Sequence, residues 1–186
     1  MNIIVQTSSF RATTGVLFMN GKRYDCTLGR SGVTLDKQEG DGATPVGTFP
    51  LRQLLYRADR HAAPETGLPV EVLTPDTGWC EDPAHADYNT KVVLPHDSAV
   101  DRMTREDNLY DFVIVVGYND DPVVPGRGSA IFIHLARPEW TPTAGCVGLK
   151  LPDLLEVIAQ CDAESHITIL PPPADAPPAE AEDAAE

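Results

Sequence analysis

The chain has 186 residues, of which 42% are hydrophobic, and its formal net charge is −14 at pH 7. That length suits one domain with a real core. The excess of acidic residues argues against nucleic acid or an anionic membrane surface as a partner, since both reward basic patches. No apolar run exceeds the length of a strand, so we expect no membrane span.

The first segments predict an antiparallel β meander. Strands are expected over Asn2–Thr7, Thr14–Met19 and Lys22–Leu28. Between the second and third lies Asn20-Gly21, a dipeptide typical of tight hairpins because both turn positions need a positive φ.

The next segment is irregular and ends in a shaped turn. Residues Gly29–Gly47 are rich in Gly, Asp and Thr, which excludes a regular element. Thr44–Phe49 reads Thr-Pro-Val-Gly-Thr-Phe, where proline fixes one φ and glycine frees another. A strand is expected to follow at Leu51–Tyr56.

Residues 57–110 form a loop-rich segment. Short strands are predicted at Val70–Leu73 and Lys91–Leu94, and a short charged helix is predicted over Asp97–Asn108. A stretch this irregular in a small domain is typically a binding wall or a lid over a site, and the alternative is a plain surface insertion.

Two strands dominate the second half. Asp111–Gly117 is continuously apolar, which predicts a central strand buried on both faces. Ala130–Leu135 is the next strand, and its alternation places His134 on the same face as Phe132.

The C-terminal part adds one helix, a final strand and a tail. The helix carries an apolar stripe at i, i+3, i+4 and i+7, formed by Leu151, Leu154, Leu155 and Ile158. The last strand is expected at Ser165–Leu170. Residues 171–186 hold only acids among their charges and are predicted to be a disordered Pro/Ala/acidic tail. The sequence therefore predicts a mainly β single domain over residues 1–170, with one or two short helices.

The stretch 130–149 carries the candidate chemistry. His134 ends an apolar strand and Cys146 follows a glycine in a loop. A thiol becomes a nucleophile when an imidazole or a helix N-terminus lowers its pKa from about 8.5. Gly145 lets backbone approach a substrate carbonyl, so the N–H groups of Gly145 and Cys146 are candidates for an oxyanion hole.

The other cysteines and histidines predict neither a metal nor a cofactor. The four cysteines include no C-x-x-C pair, and the remaining histidines are scattered without metal-ligand spacing. Those histidines are His61, His85, His96 and His166. The adjacent acids Glu81 and Asp82 are interpreted as a solvated turn.

Two motifs together resemble a known family. His134 followed by Thr143-Ala144-Gly145-Cys146 resembles the signature of the L,D-transpeptidase catalytic domain, the YkuD-like family. That family carries a strand histidine, a spacer, Ser/Thr-His-Gly-Cys, an apolar residue and Asn or Arg. It also carries a Thr-Pro-x-Gly-x-Phe turn, matched here by Thr44–Phe49. The resemblance spans about residues 1–170.

The resemblance implies a YkuD-like β-sandwich that cradles a catalytic cysteine. Cys146 would be the nucleophile, His134 its general base, and Thr143 and Gly145 would belong to the catalytic loop. The family attacks the L-to-D amide before a terminal D-alanine of peptidoglycan stem peptides and forms a thioester. An amine acceptor then gives a cross-link, whereas water gives carboxypeptidase activity.

The chain departs from the family pattern at three points. Ala144 replaces the histidine before Gly-Cys, Gly148 replaces Asn or Arg, and the spacer is shorter. Other side chains must then hold the substrate carboxylates. The candidates for substrate binding are Arg137, Arg127, Lys150 and Trp79.

Three hypotheses follow from these residues. The first is an acyl-transfer enzyme acting on stem peptides or muropeptides. The second is an inactive peptide-binding domain of the same fold, motivated by Ala144 and Gly148, and the third is a thiol hydrolase that acts on another amide. Because Met1–Phe10 lacks the features of a signal peptide, a cytoplasmic location is expected, or a periplasmic one if an export segment is missing. The oligomeric state is left open.

Overall fold

The computed structural model describes residues 1–174, and most of the predicted tail, from residue 175 on, lies outside them. The described part holds one helix, α1 (Leu151–Gln160). The strands, in chain order, are β1 (Asn2–Gln6), β2 (Thr14–Met19), β3 (Lys22–Thr27), β4 (Val33–Thr34), β5 (Thr44–Pro45), β6 (Gly47–Tyr56), β7 (Val70–Val72), β8 (Thr77–Cys80), β9 (Lys91–Val93), β10 (Val100–Arg102), β11 (Phe112–Val116), β12 (Phe132–Leu135), β13 (Val147–Leu149) and β14 (His166–Ile169).

The main sheet closes on itself. Its strand order is β11-β12-β13-β3-β2-β1-β14-β6-β7, and β6 also pairs with β11. The long strand β6 makes this possible, because its first half pairs with β14 and its second half with β11. Closure pairs β11 with β6, so β11 is no longer a free edge, and β7 is left as the edge strand among the described residues. The prediction of a mainly β domain is confirmed.

The predicted opening meander is also confirmed. β1, β2 and β3 pair antiparallel, and Asn20 (φ 49°) and Gly21 (φ 76°) form the turn between β2 and β3. Positive φ at both positions matches the right-handed twist of the flanking strands. The chain returns at its end, where β14 pairs parallel with β1.

The segment 57–110 folds over one face of the closed sheet. It forms a second, three-stranded sheet of order β10-β8-β9, called the cover sheet below. Side chains from both layers meet in a cluster that includes Trp79, Met103, Val113 and Phe132. The alternate residues of β11, such as Ile114, pack inside the closed sheet. The prediction that Asp111–Gly117 is buried on both faces is therefore confirmed.

The helix predicted over Asp97–Asn108 is wrong. Val100–Arg102 is strand β10, which pairs with β8 and places Asp101 opposite Trp79. The stretch lacks an apolar stripe of helical period, and strand pairing buries Met103 completely. β8 lies in the segment that the sequence predicts to be loop-rich, yet it is a strand, and Cys80 at its end is fully buried.

The helix α1 forms as predicted, with a shifted stripe. Its buried residues are Leu154, Val157 and Ile158, whereas Leu151 is 39% exposed. Pro152 lies in the first turn, where its missing N–H costs no hydrogen bond. No helix within residues 1–174 is long and apolar enough to cross a membrane.

The Thr44–Phe49 motif, which forms β5 and the start of β6, supports the loop that carries Cys146. Thr44 is fully buried, and its hydroxyl accepts a hydrogen bond from the Gly29 N–H at 2.9 Å. The residues around Gly29 in turn hold the Thr143–Cys146 loop, since the Arg30 N–H donates to the Thr143 carbonyl at 2.8 Å. Gly47 has a φ of 150°, and an added Cβ would lie 2.6 Å from the Phe49 ring.

Candidate active site

The sheet register brings Cys146 and His134 to one face. β12 and β13 run parallel with Ile133 opposite Val147 and His134 opposite Gly148. Cys146, one residue before β13, therefore lies beside Phe132, two positions from His134 on the same face. At ordinary strand spacings the two Cα atoms are about 8 Å apart, which side chains can bridge. Cys146 and His134 therefore lie close enough for their side chains to meet.

His134 is held in one orientation by backbone. Its Nδ1 lies 2.8 Å from the Leu135 carbonyl oxygen, so Nδ1–H donates and Nε2 carries the lone pair. Tyr110 packs edge-on against the ring, with centroids 5.3 Å apart. Burial lowers the pKa of His134 to about 4. The imidazole is therefore neutral at pH 7 and able to accept a proton through Nε2.

The Cys146 thiol is neutral and lies against β12. Its Sγ accepts a hydrogen bond from the Phe132 N–H at 3.4 Å and donates to the Ala130 carbonyl at 3.3 Å. Burial, with a smaller contribution from the nearby Asp101 carboxylate, raises the pKa of the thiol to about 12. The lowered thiol pKa expected from the sequence is wrong for this resting arrangement. α1 gives no help, because β13 separates it from Cys146.

The Thr143–Cys146 loop is closed by its own hydrogen bonds. The Thr143 hydroxyl accepts from the Gly145 N–H at 3.1 Å and donates to the Cys146 carbonyl at 2.7 Å. The Gly145 N–H is therefore engaged and does not point to a substrate oxygen, contrary to the expectation. Gly145 is needed for shape, since its φ is 139° and a Cβ would lie 2.9 Å from the Ala43 carbonyl oxygen.

Gly148 is explained by its neighbour across the sheet. A Cβ at Gly148 would lie 2.3 Å from Thr27 Oγ1, far closer than any real contact. Thr27 is fully buried, and its hydroxyl has no hydrogen-bond partner among the described residues. The Asn or Arg found here in the family pattern has no room beside Thr27.

This contact predicts a coupled stability effect. Gly148→Ala should lower the free energy of unfolding by about 1–3 kcal/mol, because overpacking forces neighbours apart. In a Thr27→Ala background the same substitution should cost much less. Urea unfolding of the four proteins measures the coupling, and an equal cost in both backgrounds would contradict the clash.

Two adjoining cavities form a groove across Cys146. The larger, about 370 Å³, extends past His134, and the smaller, about 250 Å³, extends past Lys37 and Ser129. The residues common to both are Arg30, Glu81, Asp101, Tyr110, Ala144 and Cys146. A groove with two arms meeting at the thiol has space for groups on both sides of a scissile bond.

Of the four predicted substrate-binding residues, one lines the groove and three do not. Arg137 lines the larger cavity with its side chain 48% exposed. The remaining three lie elsewhere. Arg127 pairs with Asp36 at 2.7 Å, and the Lys150 amine lies over the Trp140 ring. Trp79 packs against Phe132 in the apolar cluster between the closed sheet and the cover sheet.

The sequence reading missed several charged residues of the groove. Arg30 and Arg105 line it together with Arg137. Glu81 and Asp101 come from the cover sheet, so the solvated turn predicted at Glu81 is wrong. Burial raises the pKa of Glu81 to about 7 and also raises that of Asp101. Only the non-local pairing of β8 with β10 brings these two acids to Cys146, and no local pattern signals it.

The neutral thiol predicts a particular alkylation profile. Because the thiolate is the reactive form and the pKa of Cys146 is about 12, its iodoacetamide rate should rise about tenfold per pH unit from pH 7 to 10 without a plateau. Peptide mapping by mass spectrometry at each pH measures this rate. A plateau near pH 7 would show a preformed thiolate–imidazolium pair instead.

A second group of cysteine and histidine side chains comes together in the cover sheet. Cys80, His85 and His96 place one ligand atom each within 4.8 Å of one another. The expectation that the histidines are scattered is therefore wrong for His85 and His96. His166 is held by the Glu164 carbonyl, and His61 contacts Asp111.

Fold and site together define a class: a closed, mainly β domain with a cysteine and a histidine side by side in a groove. The family model of the L,D-transpeptidase catalytic domain, YkuD, matches residues 3–169. The chain therefore belongs to the YkuD family of L,D-transpeptidase catalytic domains, as the two motifs suggested.

Further comparisons add one distant structure. The helical cell shape determining protein Pgp2 from Campylobacter jejuni is similar over 92% of this chain, with 16% sequence identity and a TM-score of 0.44. The match covers 48% of that protein, so this chain spans about half its length. No curated protein sequence gives a significant match.

Proposed function

We propose that the protein is a cysteine acyl-transfer enzyme that acts on peptidoglycan tetrapeptide stems. Cys146 would attack the L,D amide before the terminal D-alanine, and the resulting thioester would pass to an amine or to water. The observation that carries this proposal is the placement of Cys146 and a neutral, backbone-oriented His134 on one face in a two-armed groove.

The first step follows from the resting contacts. The thiol must leave the Ala130 carbonyl, turn toward His134 and give its proton to Nε2 as it attacks the carbonyl carbon. The proton then passes from His134 to the leaving amine of D-alanine. The Cys146 N–H, which has no hydrogen-bond acceptor among the described residues, is the candidate donor to the oxyanion.

Charges in the groove suit a zwitterionic stem peptide. Arg30 and Arg137 can bind the carboxylates that the tetrapeptide carries, since guanidinium matches carboxylate geometry. Asp101, whose Oδ2 accepts from the Tyr110 hydroxyl at 2.7 Å, presents an acid near Cys146 that can hold the amine of a diaminopimelate side chain or of an acceptor. Peptidoglycan stem peptides or muropeptides are therefore the proposed partners.

A product assay tests the reaction. Purified protein is incubated with a disaccharide-tetrapeptide and the products are analysed by mass spectrometry. Loss of D-alanine identifies a carboxypeptidase, and a cross-linked dimer identifies a transpeptidase. Neither product, with the fold intact by circular dichroism, would contradict the proposal.

An inactive peptide-binding domain is the second candidate. The observations that favour it are the protonated, hydrogen-bonded thiol and Ala144 in place of the family's histidine. Titration calorimetry with the tetrapeptide separates the two candidates. A binding domain should bind the tetrapeptide equally well as wild type and as Cys146→Ala, and neither protein should release D-alanine.

The location of the protein would decide which substrate an active enzyme meets. A cytoplasmic enzyme would act on recycled muropeptides, whereas cross-linking requires the cell wall outside the membrane.

A further inference from the structure

Three side chains of metal-binding type meet where β8 ends beside two connections of the cover sheet, and none of the three lines the groove at Cys146. Cys80 ends β8, His85 follows in the loop before β9, and His96 lies in the connection from β9 to β10. One ligand atom from each lies within 4.8 Å of the other two. The fold thus brings together three side chains from separate segments of the chain.

The ring nitrogens are oriented toward a common centre. The Ser98 hydroxyl lies 3.1 Å from Cys80 Sγ and 2.8 Å from His96 Nδ1, so these two atoms face each other across it. Asp97 Oδ1 lies 3.1 Å from His85 Nε2 and 3.9 Å from His96 Nδ1. The atoms on the inner side are therefore a sulfur, two imidazole nitrogens and a carboxylate oxygen.

The outer side carries a carboxylate of the kind that orients metal-bound histidines. Asp87 Oδ2 lies 3.2 Å from His96 Nε2, the nitrogen that Nδ1 coordination would leave protonated. Asp87 Oδ2 is also 3.7 Å from His85 Nδ1. His85 needs a small turn to reach it, because its Nδ1 accepts the Asp87 backbone N–H at 3.1 Å in this arrangement.

These four ligand atoms suit Zn²⁺ better than they suit Ca²⁺ or Mg²⁺. Zn²⁺ prefers four ligands drawn from thiolate, imidazole and carboxylate, with bonds of about 2.0–2.3 Å. Those bonds require ligand atoms about 3.3–3.8 Å apart, so a contraction of about 1 Å from the present spread suffices. Calcium and magnesium prefer all-oxygen sites, which this cluster does not provide.

We propose that Cys80, His85, His96 and Asp97 bind one structural Zn²⁺ in the cover sheet. The metal replaces the Ser98 hydroxyl between Cys80 and His96 and takes the thiol as a thiolate, releasing its proton to solvent. It ties the end of β8 to both neighbouring connections. Because Glu81 directly follows Cys80 and lines the catalytic groove, the metal fixes that wall.

Metal titration of the full chain tests the site. The protein is freed of metal by dialysis against a chelator, titrated with Zn²⁺ by calorimetry, and its bound metal is measured by mass spectrometry. Wild type and Cys146→Ala should each bind one Zn²⁺. Cys80→Ser and His96→Asn should bind it more than 100-fold more weakly, beyond the roughly 10- to 100-fold that loss of an outer partner costs.

Cobalt gives a second readout of the thiolate. The Co²⁺-loaded protein should show a sulfur-to-metal charge-transfer band that persists in Cys146→Ala and Cys161→Ser and disappears in Cys80→Ser. If Cys80→Ser fails to fold, His85→Gln decides, because that side chain is 26% exposed and its loss spares the core. Substoichiometric Zn²⁺ in the wild type, or zinc binding lost in Cys146→Ala but kept in Cys80→Ser, would overturn the proposal.

Discussion

Replacing Cys146 with alanine should abolish turnover of the tetrapeptide. No other cysteine can take over, because Cys26, Cys80 and Cys161 line neither of the two cavities that meet at Cys146. Loss of a nucleophile that works together with a base costs at least about 10⁴-fold in kcat. A coupled enzymatic assay of the D-alanine released measures the effect.

Cys161→Ala is the matched control for this variant. It removes a buried thiol at the end of α1 and should cost about 1 kcal/mol of unfolding free energy, a cost similar to that of Cys146→Ala. Its activity should remain near that of the wild type. Equal activity in the wild type and Cys146→Ala would show that the thiol is not the nucleophile.

Replacing His134 with glutamine should lower kcat/KM by about 100- to 10,000-fold, the range that a general base contributes. Glutamine fills a similar volume, so packing against Tyr110 is largely kept, but it accepts no proton. Steady-state kinetics on the tetrapeptide measure the loss. His166→Gln, at a histidine outside the groove, should leave kcat/KM unchanged.

The pH profile distinguishes a base from a structural histidine. The pKa of His134 lies near 4, below the ordinary value of 6.5, because burial disfavours the charged ring. The neutral, proton-accepting form therefore persists down to about pH 4. The acid limb of kcat/KM should fall through that pH, and in His134→Gln this limb should be absent. An acid limb near pH 6.5 would show a solvent-exposed imidazole.

Much of the closed sheet could be predicted from local patterns. Asn20-Gly21 identifies its hairpin, alternation identifies β1 to β3, and the continuous apolar run identifies β11 as a strand with two buried faces. His134 and Cys146 could be paired by type and spacing, because a strand followed by a glycine-containing loop is a local feature. These signals depend on residues close together in the chain.

The cover sheet could not be predicted in the same way. β8 and β10 have short, mixed sequences whose strand character comes from pairing across about twenty residues, and Val100–Arg102 carries charges that suggested a helix. For the same reason Glu81, Asp101 and the Cys80–His85–His96 group remained unseen. Contacts of this kind depend on tertiary pairing, which overrides local propensity.

The protonation state of the Cys146 thiol also could not be predicted from the sequence. Proximity of an imidazole suggested a lowered pKa, whereas burial against β12 and the absence of a hydrogen bond to His134 in the described part of the chain favour the neutral thiol. Desolvation outweighs proximity here, because a thiolate without a charged partner is costly in a dry site. Activation must then coincide with substrate binding.

A thioester on Cys146 would be the covalent intermediate of the proposed reaction, and it can be detected by mass spectrometry. The protein is mixed with a tetrapeptide stem, quenched in acid within the first turnover, and its intact mass and proteolytic peptides are measured. We expect a mass increase equal to the tripeptide acyl group, located on the peptide that contains Cys146 and absent in Cys146→Ala. Release of D-alanine without any adduct on Cys146, or an adduct on another residue, would contradict it.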